Sequence, residues 1–225
     1  MPTIVLATQN PGKVRELQSL LKGSTIDIIG LDSFDQSFPE PEEDGETFQD
    51  NATIKAIAYA KATGMHCLAD DSGLIVDALD GRPGVISSHY AFDGETEGQA
   101  AAMTREQRDV LNGERVLKEL ANIVDEQRTA RFTCTMVLAD PSGTVLASTV
   151  GAFEGRIGRA DQVPMGENGF GYDPLFLVGP DFERTSAQMS PAEKNAVSHR
   201  AKAVNQMIEI INGMNSSTES VFKDN

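Results

Sequence analysis

Cysteine is scarce in this chain: of 225 residues, only Cys67 and Cys134 are cysteines. Both lie in apolar stretches, with no CxxC spacing and no neighbouring histidine pattern. That argues against a disulfide framework or a cysteine-based zinc site and reads as two buried free thiols, as a reducing cytosol allows. Long apolar runs are also missing, and none approaches the ~20 residues that span a bilayer. The opening MPTIVLATQN lacks the basic start and long apolar core of a secretory leader and reads instead as a buried strand. Basic residues are outnumbered, 19 against 34 acidic, for a net charge of −15. A field of that sign repels nucleic acid and anionic lipid. A small phosphorylated ligand is still permitted where local cations and a metal ion offset it. No internal repeat and no linker breaks the sequence.

The length suits one domain, single or two-lobed, with its own core. Residues 3–8 (TIVLAT) read as a strand, followed by a helix with Asn10 as N-cap, Pro11 in its first turn and Gly23 past its end. Residues 25–30 suggest a second strand. The acidic, proline-bearing stretch 35–46 reads as a loop. Thr47 and Asp50 have capping-box spacing and open a helix that buries Ala52, Ala56, Ile57 and Ala60 and ends at Gly64. A short strand is expected over 66–69, leading into DDSG, and 74–79 is expected to continue extended. Residues 98–122 read as a polar helical region broken near Asn112 and Gly113. Residues 131–139 and 144–150 flank the turn DPSG as a hairpin. The glycine-rich 166–173 cannot be regular structure. One long helix is expected from Ser190, its N-cap, to Gly213, and residues 213–225 form a polar, frayed tail. This mixture argues α/β or α+β, with loops from a sheet converging on one cleft.

Four constellations carry chemistry. Thr8, Gln9, Asn10, Pro11, Gly12 and Lys13 form a strand-to-helix turn whose exposed N–H groups, dipole and lysine favour phosphate; a plain capped surface helix would look the same. Asp70 and Asp71 follow an apolar strand and are joined by the acidic loop holding Glu42. Adjacent carboxylates need cations if they are buried, and hard oxygen ligands suit Mg²⁺ beside phosphate. A solvated acidic turn is the alternative. Gly169, Phe170, Gly171 and Tyr172 let backbone approach a ligand while a ring stacks on a base, or else make a structural turn. Lys194, Ser198, His199 and Arg200 place cations on the first turns of a helix, where they would hold a phosphate or a base edge. Together the four describe a nucleotide-phosphate hydrolase.

The segments TQNPGK (8–13), EEDGETFQDNA (42–52), LADDSGL (68–74), GFGYDPLF (169–176) and EKNAVSHRAKA (193–203) give a specific match. On them the chain resembles the inosine triphosphate pyrophosphatases, also called XTP/dITP diphosphatases, from about residue 3 to 212. The resemblance implies an elongated mixed α/β fold with a long central sheet, two lobes and a cleft, in a single domain over residues 1–212. It implies Mg²⁺-dependent cleavage of ITP, dITP and XTP to the monophosphate and pyrophosphate by a cytoplasmic homodimer. Thr8 to Lys13 would bind the triphosphate, with Lys55 assisting. Glu42 and Asp71 would hold Mg²⁺, with Asp71 as general base and Asp70 beside it, and Ser72 would touch the substrate. Phe170, Gly171, Tyr172 and Asp173 would form the base pocket, completed by Lys194, His199 and Arg200. Two departures stand out: His89 occupies the place of an arginine in many relatives, and the stretch 92–115 is longer and more charged. A pyrimidine-triphosphate pyrophosphatase and a non-catalytic nucleotide-binding regulator are the rival readings.

Overall fold

A computed structural model describes residues 3–216 and Phe222. Six strands form one sheet in the order β2-β1-β3-β4-β5-β6. They are β1 (Thr3–Leu6), β2 (Asp27–Gly30), β3 (Cys67–Val76), β4 (Thr129–Ala139), β5 (Val145–Ile157) and β6 (Phe176–Val178). The sheet is mixed: β1 runs parallel to β2 and β3, while β6 is antiparallel to β5. Among the described residues five α-helices accompany it: α1 (Pro11–Leu21), α2 (Phe48–Thr63), α3 (Arg105–Glu119), α4 (Pro191–Val197) and α5 (His199–Ser216).

Local capping sets the helix starts as the sequence indicates. The Asn10 side chain accepts from the N–H groups of Gly12 and Lys13. Thr47–Asp50 and Ser190–Glu193 both close full capping boxes. The turn after β4 closes through Gly143 N–H to Asp140 O, which makes β4 and β5 the expected hairpin.

The chain divides into two compact units. The first holds residues 1–71, 134–151 and 199–225; the second holds 72–133 and 152–198. In the first unit the strands bury both faces. Ile4, Leu6, Leu68, Met136 and Leu138 pack with Leu17 of α1 and with Val204 and Met207 of α5. Their neighbours Val5, Ala7, Cys67, Ala69, Val137 and Ala139 pack with Ala52, Ala56, Tyr59 and Ala60 of α2. Successive strand residues point to opposite faces, so one strand feeds two cores. The second unit has a single core that includes Leu74, Tyr90, Val116, Phe153, Tyr172 and Phe176.

Four expectations need correction. The strand expected to end at Ala69 continues: β3 runs through DDSG to Val76, after which Asp77–Leu79 form a 3₁₀ turn in place of extended chain. The helical region 98–122 is helical only from Arg105 to Glu119 and does not break at Asn112–Gly113. A Cβ on Gly113 would sit 2.9 Å from Leu175 Cδ1, so a larger residue there would displace the tip of that side chain. Asn112 is buried and donates to the carbonyls of Ser87 and Ser88 while accepting from Ala91 N–H. The helix expected from Ser190 to Gly213 is two helices, because Ser198 turns extended (φ −65°, ψ 157°). Its second part continues to Ser216, past the expected end, and the rest of the expected tail, apart from Phe222, lies outside the described residues.

One buried cation organises the second unit. Arg128 is 2% exposed and donates to the carbonyls of Ile157 (2.8 Å), Leu120 (2.6 Å) and Gly158 (2.6 Å). Arg128→Met keeps the stem and orphans these acceptors. It is expected to cost about 2–3 kcal/mol, read as a lower urea midpoint at unchanged slope. An unchanged midpoint would show that water satisfies the carbonyls.

Candidate active site

The strand parity of the first unit decides what the aspartate pair does. Asp70 has the parity of Leu68 and lies on the α1/α5 face; Asp71 has the parity of Ala69 and lies on the α2 face. The two adjacent carboxylates therefore meet different cations.

Asp70 is 1% exposed. Lys13 reaches its carboxylate at 3.1 Å and its backbone oxygen at 3.3 Å. Arg200 bonds the same carboxylate oxygen through Nη2 at 3.2 Å and Nε at 3.4 Å, and also pairs with Glu16. Burial opposes ionisation of Asp70, but Lys13 and Arg200 overcome it and hold its carboxyl well below the usual range. Burial works against the Arg200 charge too, and Asp70 and Glu16 more than restore it. Cys134 Sγ lies 3.8 Å from Asp70 Oδ2, and burial together with that negative charge pushes the thiol up to about 12. Asp70 is thus an anion locked to two cations, a poor proton acceptor but a firm anchor for Lys13.

Asp71 is differently placed. Lys55 of α2 pairs with its Oδ1 at 3.0 Å and with Glu43 at 2.8 Å. Among the described residues its Oδ2 meets only the long 3.5 Å contact from Asn51 Nδ2. Burial raises the Asp71 carboxyl above its ordinary value despite Lys55, so it binds a proton more readily than an exposed aspartate. Burial opposes the Lys55 charge, while Asp71 and Glu43 raise its pKa beyond that of a free lysine. Ser72 follows Asp71 in the strand and is half-buried.

The residues before α1 are engaged locally. The Thr8 hydroxyl accepts from Asn10 N–H at 3.2 Å. Gln9 donates to Phe38 O (3.0 Å) and Tyr59 Oη (3.2 Å), which orders the approach to the acidic loop. Asn10, Pro11 and Gly12 form the helix start, and Lys13 stands behind it on Asp70.

The glycine-aromatic loop belongs to the second unit. Asp173 is 3% exposed and accepts from Phe170 N–H (2.9 Å), Ser186 Oγ (2.7 Å) and Lys194 Nζ (2.7 Å). Gly169 sits at φ +83°, and a Cβ there would lie 2.0 Å from Asp173 Oδ2, so only glycine lets the chain wrap this carboxylate. Phe170 is half-buried, with Lys194 Nζ 5.6 Å from its ring centroid. Tyr172 is a core residue, its hydroxyl donating to Ser87 O at 2.7 Å. Of the two aromatic residues of the loop, Phe170 is the more exposed.

The sequence-predicted residues thus fall into three groups: Lys13, Asp70 and Arg200; Lys55 and Asp71; Phe170, Gly171, Asp173 and Lys194. His199 is buried at the start of α5. Glu42 is exposed, and the acidic-loop carboxylate that reaches Lys55 is Glu43. At His89, burial and the charges of Arg108 and Arg105 lower the imidazole pKa, which favours the neutral ring. Sequence reasoning held Glu43 only as one of the acidic-loop residues and missed Asn51 and Glu16. Glu43 stands next to a chosen residue, but no local signal separates it from Glu42.

The Ham1 family model matches residues 4–210. A dITP/XTP pyrophosphatase of Nitratidesulfovibrio vulgaris is 48% identical over 208 residues, 92% of this chain and 95% of that protein. One from Desulforamulus reducens is 44% identical over 209 residues, 93% of this chain and 95% of its own. The solved structure of a HAM1 protein from Coxiella burnetii matches with a TM-score of 0.77 at 41% identity, covering 95% of this chain and 100% of that one. By the extent of this match, in sequence and in fold, the chain belongs to the Ham1 family.

Proposed function

We propose that this protein hydrolyses deaminated purine nucleoside triphosphates (ITP, dITP and XTP) to the nucleoside monophosphate and pyrophosphate. The observation that carries the reading is Asp71, a buried carboxylate with one oxygen on Lys55 and the other nearly free. The relatives named dITP/XTP pyrophosphatase point to the same substrates.

In the proposed reaction Asp71 takes a proton from water, and the water oxygen attacks the α-phosphorus. The bond from that phosphorus to the α–β bridging oxygen breaks, and pyrophosphate leaves. Lys13 and Lys55 are assigned to the anionic phosphates, with the start of α1. Lys13 would be aimed by Asp70, which Arg200 keeps ionised.

We assign a Mg²⁺ requirement to the Asp71 face. Among the described residues no group of three or more His, Cys, Asp or Glu could hold a metal. A metal caged by protein alone does not fit, but Mg²⁺ does, since it takes one or two carboxylates and completes its shell with water and substrate phosphates. Asp71 and the acidic loop at Glu42 and Glu43 would hold it, and when bound it would neutralise phosphate charge. Phe170 is assigned to stacking on the base. A donor such as Lys194 would favour a 6-oxo group over the 6-amino group of adenine, where two donors would meet. As the resemblance implies, we further propose that the protein acts as a homodimer in the cytoplasm.

The test is pyrophosphate release from ITP, dITP, XTP, GTP, ATP and dTTP, with and without chelator. The first three are expected to be turned over, with activity lost in chelator and restored by Mg²⁺. Preference for dTTP would favour a pyrimidine enzyme, and nucleotide binding without release would favour a regulator.

A further inference from the structure

Hypoxanthine, xanthine and guanine share the 6-oxo group, so donors facing it cannot separate guanine from the other two. Discrimination has to come from position 2, which carries hydrogen in hypoxanthine, an oxo acceptor in xanthine and an amino donor in guanine. A donor-only group at that edge favours xanthine and disfavours guanine.

The second unit holds such a group beside Phe170. Because α3 runs unbroken through Asn112–Gly113, it carries Arg105 and Asp109 one turn apart on one face. Asp109 accepts from Gly171 N–H at 2.9 Å. The Arg105 guanidinium carbon lies 5.5 Å from the Phe170 ring centroid. Helix and loop are thus joined at two successive loop residues, with the guanidinium at the ring.

Arg105 is also short of partners. Its Nε is buried without a hydrogen-bond partner, and among the described residues it makes no ion pair. In contrast, Arg82, Arg115, Arg131, Arg159 and Arg184 each pair with a carboxylate. The carboxylate of Asp109, one turn on, feels the Arg105 charge, but it is held by Gly171 N–H and not by the guanidinium. Its neighbour Arg108 spends one nitrogen on the carbonyls of Ala100 and Met103. With Arg105 Nε buried, its two terminal nitrogens are the donors left to meet a ligand.

We propose that Arg105 is a specificity-determining residue that donates to the 2-oxo group of a xanthine base stacked on Phe170 and disfavours the 2-amino group of guanine. Asp109 fixes the loop relative to α3, so that ring and guanidinium keep one geometry. This inference rests on the proposed nucleotide pyrophosphatase activity, with Phe170 as the stacking ring.

The experiment compares kcat/KM for XTP, ITP and GTP in the parent, Arg105→Met and Arg105→Lys, with thermal unfolding as a check on folding. In Arg105→Met the XTP-to-ITP ratio is expected to fall about tenfold or more, and the GTP-to-ITP ratio to rise. Arg105→Lys keeps a donor without the planar fork and should fall between, which keeps the test open if the methionine variant folds poorly. Ratios unchanged in both variants, with activities intact or lowered alike, would overturn the inference and leave Arg105 as a prop for the loop. A parent that releases pyrophosphate from none of the three would instead remove the proposed function.

Discussion

Asp71→Asn is expected to fold and to lose turnover by roughly 10²–10⁴-fold, the usual contribution of a positioned general base. Asparagine keeps the shape of the side chain and its contact with Asn51, and Lys55 retains Glu43 at 2.8 Å. It cannot accept a proton, and it is a poorer metal ligand than a carboxylate. Steady-state pyrophosphate release from ITP reads the first effect, and thermal unfolding checks the fold. The matched variant Asp70→Asn separates the two positions. Asp70 is anchored to Lys13 and Arg200, so its loss should act through a displaced Lys13, with a raised KM as the signature. Near-parental turnover in Asp71→Asn would remove Asp71 from the chemistry.

Arg200→Met is expected to destabilise the protein by about 3–5 kcal/mol, the cost of breaking a buried pair and leaving one charge behind. Asp70 would keep only Lys13, and Glu16 would lose its buried partner. The double variant Arg200→Met/Asp70→Asn should recover part of the loss, because the uncompensated carboxylate goes with its partner. The sign with pH follows from the depressed Asp70 carboxyl. Its stabilisation is complete above the ordinary carboxylate range and is lost only as pH falls through the lower folded value. Arg200→Met should therefore lose stability at a higher pH than the parent. Urea titrations at neutral and acid pH measure both effects. An Arg200→Met midpoint equal to the parent's at neutral pH would mean that Asp70 is solvated or otherwise compensated.

Much of the fold is legible in the sequence because helix starts are local events. Asn10 with Pro11, Thr47 with Asp50, and Ser190 with Glu193 satisfy backbone N–H groups within three residues of themselves. The same holds for the turn at Asp140–Thr144 and for the irregular loop 166–173. Among the site residues, Lys13, Asp70, Asp71, Phe170 and Lys194 could be chosen because charged and aromatic groups beside strand ends and glycines are unusual enough to mark themselves.

Geometry beyond the local chain decided the rest. DDSG looks like a turn by composition, yet β3 continues through it, since Lys13, Arg200 and Lys55 neutralise its carboxylates and cores on both faces hold the strand. That continuation places Asp70 and Asp71 on opposite faces, so two neighbours with one side chain meet different cations, Lys13 and Arg200 for the one and Lys55 for the other. Arg200 meets Asp70 across 130 residues of sequence, a pairing no local pattern encodes. Gly113 weakens a helix locally, yet α3 runs through it packed beside Leu175 and carries Arg105 to Phe170. The sequence by itself determined the elements and the supply of reactive groups, because both depend on residues a few positions apart. Only the tertiary structure decided which group faces which, because strand parity and the burial of charge depend on where distant segments pack.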